Sequence, residues 1–144
     1  MHMKIRNLIF IMLLVLAASV EAEPAAHFVV LSARAARGIS SQGTWKPTKA
    51  DIEGAETNLS QVSHLKAEGW GPAVHIDHPE RYFRQYVPIL RAGQKVIYIN
   101  AFCDAPAYWR TQFVVVADGA TCYWQALYNP ATQKYLHLTI NARA

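Results

Sequence analysis

The sequence specifies an α+β fold, with one amphipathic helix packed on a curled antiparallel sheet of four to five strands. Three observations carry this. Apolar residues recur at helical spacing through Ile52, Ala55, Leu59, Val62 and Leu65, opposed by Glu53, Glu56, Asn58, Gln61 and Lys66. Runs rich in β-branched and aromatic residues follow at 82–90, 95–103, 112–117, 121–128 and 134–140. Most connections between those runs are short and carry turn residues, which makes neighbouring strands antiparallel. A single helix with one apolar stripe needs a sheet to bury it.

Ahead of the helix, residues 1–22 have the layout of a secretory signal peptide. Lys4 and Arg6 precede an apolar stretch over 8–18, and Ser19-Val20-Glu21-Ala22 ends in small residues at the cleavage positions. The stretch is shorter than the roughly 20 residues of a membrane helix. The expected product is secreted or periplasmic, with no membrane span after cleavage. Residues 23–44 form a poorly patterned N-terminal arm, in which Phe28-Val-Val-Leu31 offers at most one short strand. Residues 45–144 then make a single α+β domain.

The helix start is read from Thr48 as N-cap with Asp51 three positions later, a capping box with a shortened acid. Gly69 supplies a stop. Among the strands, Arg91-Ala-Gly93-Gln fits a hairpin loop, Asp118-Gly119 is a short-turn signal, and Asn129-Pro130 suits a type I turn. Pro88 lacks an amide hydrogen, which places the first long run at an edge or at a bulge. An edge there permits dimerisation without requiring it, so the oligomeric state stays open.

The chain of 144 residues carries a net charge of +4. Its basic residues are scattered, short of the clustering that a nucleic-acid binder needs. One modest group, Arg81, Arg84, Arg91 and Lys95, is either the solvated side of a hairpin or an attraction for an acidic partner or anionic surface polymer. Cys103 and Cys122 are the only cysteines. In an oxidising compartment one disulfide is the economical reading, contributing roughly 3 kcal/mol by chain entropy, with two buried free thiols as the alternative. In a flat five-run meander, however, they fall at opposite ends of the sheet. The bridge then needs strong curl, a register shift or a short third strand.

Candidate chemistry is sparse. His75, Asp77 and His78 are the densest ionisable set and the weak candidates for a metal, against the reading of an exposed polar loop. Tyr98, Asn100 and His137 are the groups that a pocket of a small enzyme would use. There is no Gly-x-Ser-x-Gly elbow and no phosphate loop, so no cofactor is expected. Tyr108, Trp109 and Tyr123 offer a binding surface, because Tyr and Trp give large contact area at low entropic cost and stack on sugar rings. Trp124 is assigned to the core.

The helix-then-meander order, with the runs Arg84-Gln85-Tyr86, Ile97-Tyr-Ile-Asn-Ala-Phe-Cys103, Val114-Val-Val-Ala-Asp-Gly119 and Cys122-Tyr-Trp124, resembles small bacterial secreted proteins with a cystatin-like or nuclear-transport-factor-like roll. The resemblance covers about residues 45–142 and implies the roll. It implies no activity. The Gln-x-Val-x-Gly loop of cystatin inhibitors is not matched, since Gln85-Tyr-Val87-Pro-Ile89 lacks the glycine and sits in a strand. The expected function is an exported non-catalytic binding or inhibitory module acting on a protein or cell-envelope glycan. The alternative is a small roll-fold enzyme with a pocket between helix and sheet.

Overall fold

The computed structural model describes residues 26–143 apart from Arg37, Ser40 and Pro72, so the expected export segment at 1–22 lies outside the described residues. Its elements are β1 (Phe28–Val30), α1 (Lys49–Thr57), β2 (Phe83–Arg91), β3 (Gln94–Phe102), β4 (Tyr123–Asn129) and β5 (Lys134–Ile140). The strands form one open sheet in the order β1-β2-β3-β4-β5. The last four make an antiparallel meander, with short hairpin turns joining β2 to β3 and β4 to β5 and the longer 103–122 connection joining β3 to β4, but β1 runs parallel to β2. The sheet is therefore mixed, where an all-antiparallel one was expected. The parallel strand comes from the arm, and α1 lies between it and β2 in the chain, giving the length a parallel crossover requires.

The helix begins where the sequence places it. The Thr48 hydroxyl accepts from the Asp51 amide while the Asp51 carboxylate accepts from the Thr48 amide, so the shortened box closes. It ends earlier than expected. Asn58 caps α1, with its side-chain amide on the Gly54 carbonyl, and the chain continues as a 3-10 turn over Leu59–His64 rather than as α-helix to Gly69. The tighter turn still buries Leu59 and Val62 beside Ala55, so the apolar stripe survives the change of helix type. It packs on Tyr86, Ile97, Ile99, Trp124, Ala126, Tyr128 and Leu138 from the sheet.

The run 112–117 is not a strand, which corrects the five-run meander. Residues 104–119 cross the other face of the sheet, opposite α1. Val114 is buried there and Val115 is 75% exposed, so the alternation that imitates a strand is satisfied by lying across a sheet. Side-chain amides of the sheet supply the backbone partners. Gln85 donates to the carbonyls of Trp109 and Gln112 and accepts from the Val114 amide. Asn100 donates to the Val114 carbonyl, and Asn141 to those of Val116 and Asp118. Buried backbone groups must be paired, and here side chains replace a neighbouring strand.

Removing that strand also resolves the cysteine geometry. Cys103 and Cys122 now flank adjacent antiparallel strands, β3 and β4, and are bridged with Cα atoms 5.1 Å apart. The backbone pairs across the same point, from the Cys103 amide to the Cys122 carbonyl at 3.0 Å.

Pro88 lies inside the sheet, at a gap in pairing. On its outer side β2 meets β1 through residue 86, and the arm returns over 42–44. Leu90 exchanges backbone bonds with Gln42 and Gly43, and the Thr44 hydroxyl donates to the Pro88 carbonyl. The missing amide hydrogen falls where the arm has left the sheet. The other edge, β5, is covered as well. Gln61 accepts from the Tyr135 amide, the Glu68 amide donates to the Leu138 carbonyl, and the Trp70 indole donates to the Ile140 carbonyl.

Candidate ligand-binding groove

Tyr98, Asn100 and Tyr123 share one shallow cavity of ≈ 220 Å³ on the face that carries the 104–119 crossing. Its polar groups are engaged in structure. Gln85, Asn100, Gln125 and Thr139 stand directly opposite one another across β2 to β5. They form a hydrogen-bonded row at 3.1 to 3.4 Å. Burial pushes the Tyr98 phenol up, against a weaker pull from Arg91, so it is neutral at physiological pH. His137 does not join this set. Leu127 pairs with Leu136 and Gln125 with Thr139, which leaves two β5 residues opposite Ala126. His137 sits in that bulge with φ of 55° and pairs at 2.8 Å with Glu68 beyond the sheet edge.

Of the expected binding surface, only Tyr108 presents its ring outward, at 45% exposure. Trp109 is buried at 6%, edge-on to Phe83 and Phe102, with Arg110 stacked over it. Tyr123 is half-buried, and Trp124 is fully buried in the main core. The metal candidates are split between separate partners, His75 with Asp77 at 3.2 Å and His78 with Glu80 at 3.1 Å. Among the described residues no three His, Cys, Asp or Glu side chains converge as metal ligands.

A polar cluster not singled out in the sequence joins α1 to β2. Arg84, 3% exposed, donates through Nε and Nη2 to both carboxylate oxygens of Glu56 at 3.1 and 2.9 Å. Its Nη1 donates to the carbonyls of Pro79, Glu80 and Tyr82. Tyr86 donates to Glu56, and the Tyr135 hydroxyl donates to the Ala55 carbonyl. Loss of water pushes the Tyr86 and Tyr135 phenols well above the usual tyrosine range, reinforced by the charge of Glu56. With every guanidinium nitrogen engaged, this cluster is a clasp. The one sequence signal was an arginine alternating with apolar residues inside a strand.

A roomier cavity, ≈ 540 Å³, lies elsewhere, between the start of α1 and the two hairpin turns. Trp45 forms one wall, and its indole N–H is forked between the Ile89 and Val96 carbonyls at 3.1 Å each, which fixes the ring. Lys95 stands 5.6 Å from the ring centroid, and Lys46 lies beside it. On the far side Asn129 accepts from the Ala131 and Thr132 amides and donates to Gln94 at 3.3 Å. The single acid of the lining, Asp51, is held by the Thr48 amide and hydroxyl at 2.7 and 2.8 Å. The site joins residues 45–51, 94–95 and 129–132, which is why no contiguous motif announces it.

No protein-family model, curated protein or solved structure matches this chain. Among the described residues no helix is long and apolar enough to cross a membrane.

Proposed function

We propose that the protein is an exported, non-catalytic binding module that captures an envelope polymer in the groove walled by Trp45. The observation that carries the reading is the lining itself. It offers a fixed aromatic plane, two lysines and the Gln94 amide, and its one carboxylate is engaged in the helix cap. Such a surface holds a ligand by stacking, charge and amide contacts. The space between α1 and the sheet, where the enzyme reading would put its pocket, is filled by Ala55, Val62, Tyr86, Trp124 and Tyr128. Export belongs to the same proposal, supported by the layout of residues 1–22 and by the Cys103–Cys122 bridge. So does the cystatin-like roll, supported by one helix laid on an antiparallel meander.

The test is co-sedimentation of the purified protein with an insoluble envelope fraction, before and after protease digestion of that fraction. The expected result is binding that survives digestion and is lost in a Lys46→Glu, Lys95→Glu variant of unchanged melting temperature. Binding abolished by digestion would reassign the target to a protein. No binding, or equal binding by the variant, would remove the groove as a capture site.

A further inference from the structure

Resting on that reading of the groove, we infer that its ligand is an acidic polysaccharide, a chain of pyranose rings bearing carboxylates. Four observations converge on this class. The Trp45 ring is locked by two hydrogen bonds from its own N–H, so stacking a flat apolar sugar face on it carries little ordering cost. The Lys95 ammonium lies over the ring, 5.6 Å from its centroid, on a flexible stem that lets it swing aside and meet the ring-attached carboxylate of a pyranose taking its place on the indole. Lys46 and Lys95 are exposed, and among the described residues neither is ion-paired. Opposite the aromatic wall the exposed Gln94, braced by the bond that its Oε1 accepts from Asn129, presents its amide N–H groups to sugar hydroxyls.

The charge is local as well as chemical. The lining holds two lysines against Asp51, whose carboxylate is already engaged by Thr48. An anion entering the groove therefore meets a net positive wall, and its attraction weakens as salt rises. Exposed ion pairs are individually weak. The two lysines together contribute about a tenfold change in affinity, while stacking and amide contacts supply the remainder.

The test is calorimetric titration of the purified protein with galacturonate, glucuronate and mannuronate oligosaccharides, with the same chains after reduction of their carboxyls to alcohols, and with poly-glutamate. The expected result is binding of at least one uronate chain, weakened about tenfold both by carboxyl reduction and by the Lys46→Gln, Lys95→Gln variant. That variant, which keeps Trp45 in place, should melt as the parent does. Equal affinity for the reduced chain would overturn the charge requirement. Poly-glutamate binding as tightly as the best uronate would overturn the sugar requirement. If all three uronate chains fail while the envelope fraction still binds, the acidic-sugar assignment is wrong and the capture reading stands. If the envelope fraction fails too, both fall.

Discussion

Arg84 and Glu56 illustrate how single side chains decide what the helix and sheet can do together. Arg84 is 3% exposed and Glu56 lies at the rim of the interface, so the pair costs desolvation that only dense hydrogen bonding offsets. Tyr86 and Tyr135 complete the clasp, and their raised phenol pKa values make it sensitive to alkali. A phenol that ionises later in the folded state than in the unfolded chain keeps the folded state holding more protons above pH of about 10. Stability is therefore flat below that pH and falls as pH rises toward the folded values, by up to about 1.4 kcal/mol per pH unit for each tyrosine. Tyr135→Phe loses the bond to Ala55, so at pH 8 it should be less stable by about 1 kcal/mol. Above pH of about 10 it should decline more gently than the parent, and the gap between them should close. Urea midpoints followed from pH 8 into the alkaline range test this, and parallel curves would show that Tyr135 plays no part in the loss. None of this was legible beforehand, because Glu56 reads as a solvated helix position and Arg84 as a surface charge.

At the scale of elements, the start of α1 was legible because its determinants are local: Thr48 and Asp51 are three residues apart. Its packing contains a feature that spacing alone hides. Gly54 lies over Tyr128, and a Cβ there would stand 2.7 Å from the phenol oxygen. Alanine improves helix propensity by about 1 kcal/mol over glycine, yet forced contact in a packed interface costs about 1–3 kcal/mol. Gly54→Ala should therefore destabilise the parent, whereas in a Tyr128→Phe background, where the nearest ring carbon is 3.6 Å away, it should be neutral or stabilising. A double-mutant cycle by thermal melting measures this coupling, and additive effects would mean that helix and ring do not touch. The third predicted strand failed for the opposite reason. The alternation of Val114, Val115 and Val116 is the same for a strand in a ladder and for a segment crossing a sheet face. The choice was made by Gln85, Asn100 and Asn141, at separations of 14 to 29 residues. The groove was hidden similarly, since Trp45 meets Lys95 and Asn129 only after both hairpins form.

The whole molecule is a meander whose edges and faces are closed by its own connecting segments. Residues 28–31 and 42–44 cover β2 on one side, Gln61, Glu68 and Trp70 cover β5 on the other, and 104–119 cover the face away from α1. This disposes of the exposed edge that Pro88 implied, because the pairing positions are already occupied. It also sets what the disulfide must do. The bridge closes a loop of sequence separation 19 at the point where the crossing segment leaves and rejoins the sheet. Chain entropy assigns such a loop about 3 kcal/mol. The groove uses Gln94, Lys95 and Asn129, whereas the bridge follows Phe102 and precedes Tyr123, so they occupy opposite ends of β3 and β4. Nine residues of extended chain, roughly 30 Å, separate them along β3. Stability and binding should therefore come apart in a Cys103→Ala, Cys122→Ala variant. Its melting temperature should fall by about 10 °C, following the entropy lost from the unfolded-state constraint. Its affinity for the groove ligand, measured well below that temperature, should match the parent's. An unchanged melting temperature would mean that the side-chain amides on 104–119 hold the loop without the bridge. A parallel loss of affinity would mean that the crossing segment, rather than the hairpin end, shapes the groove.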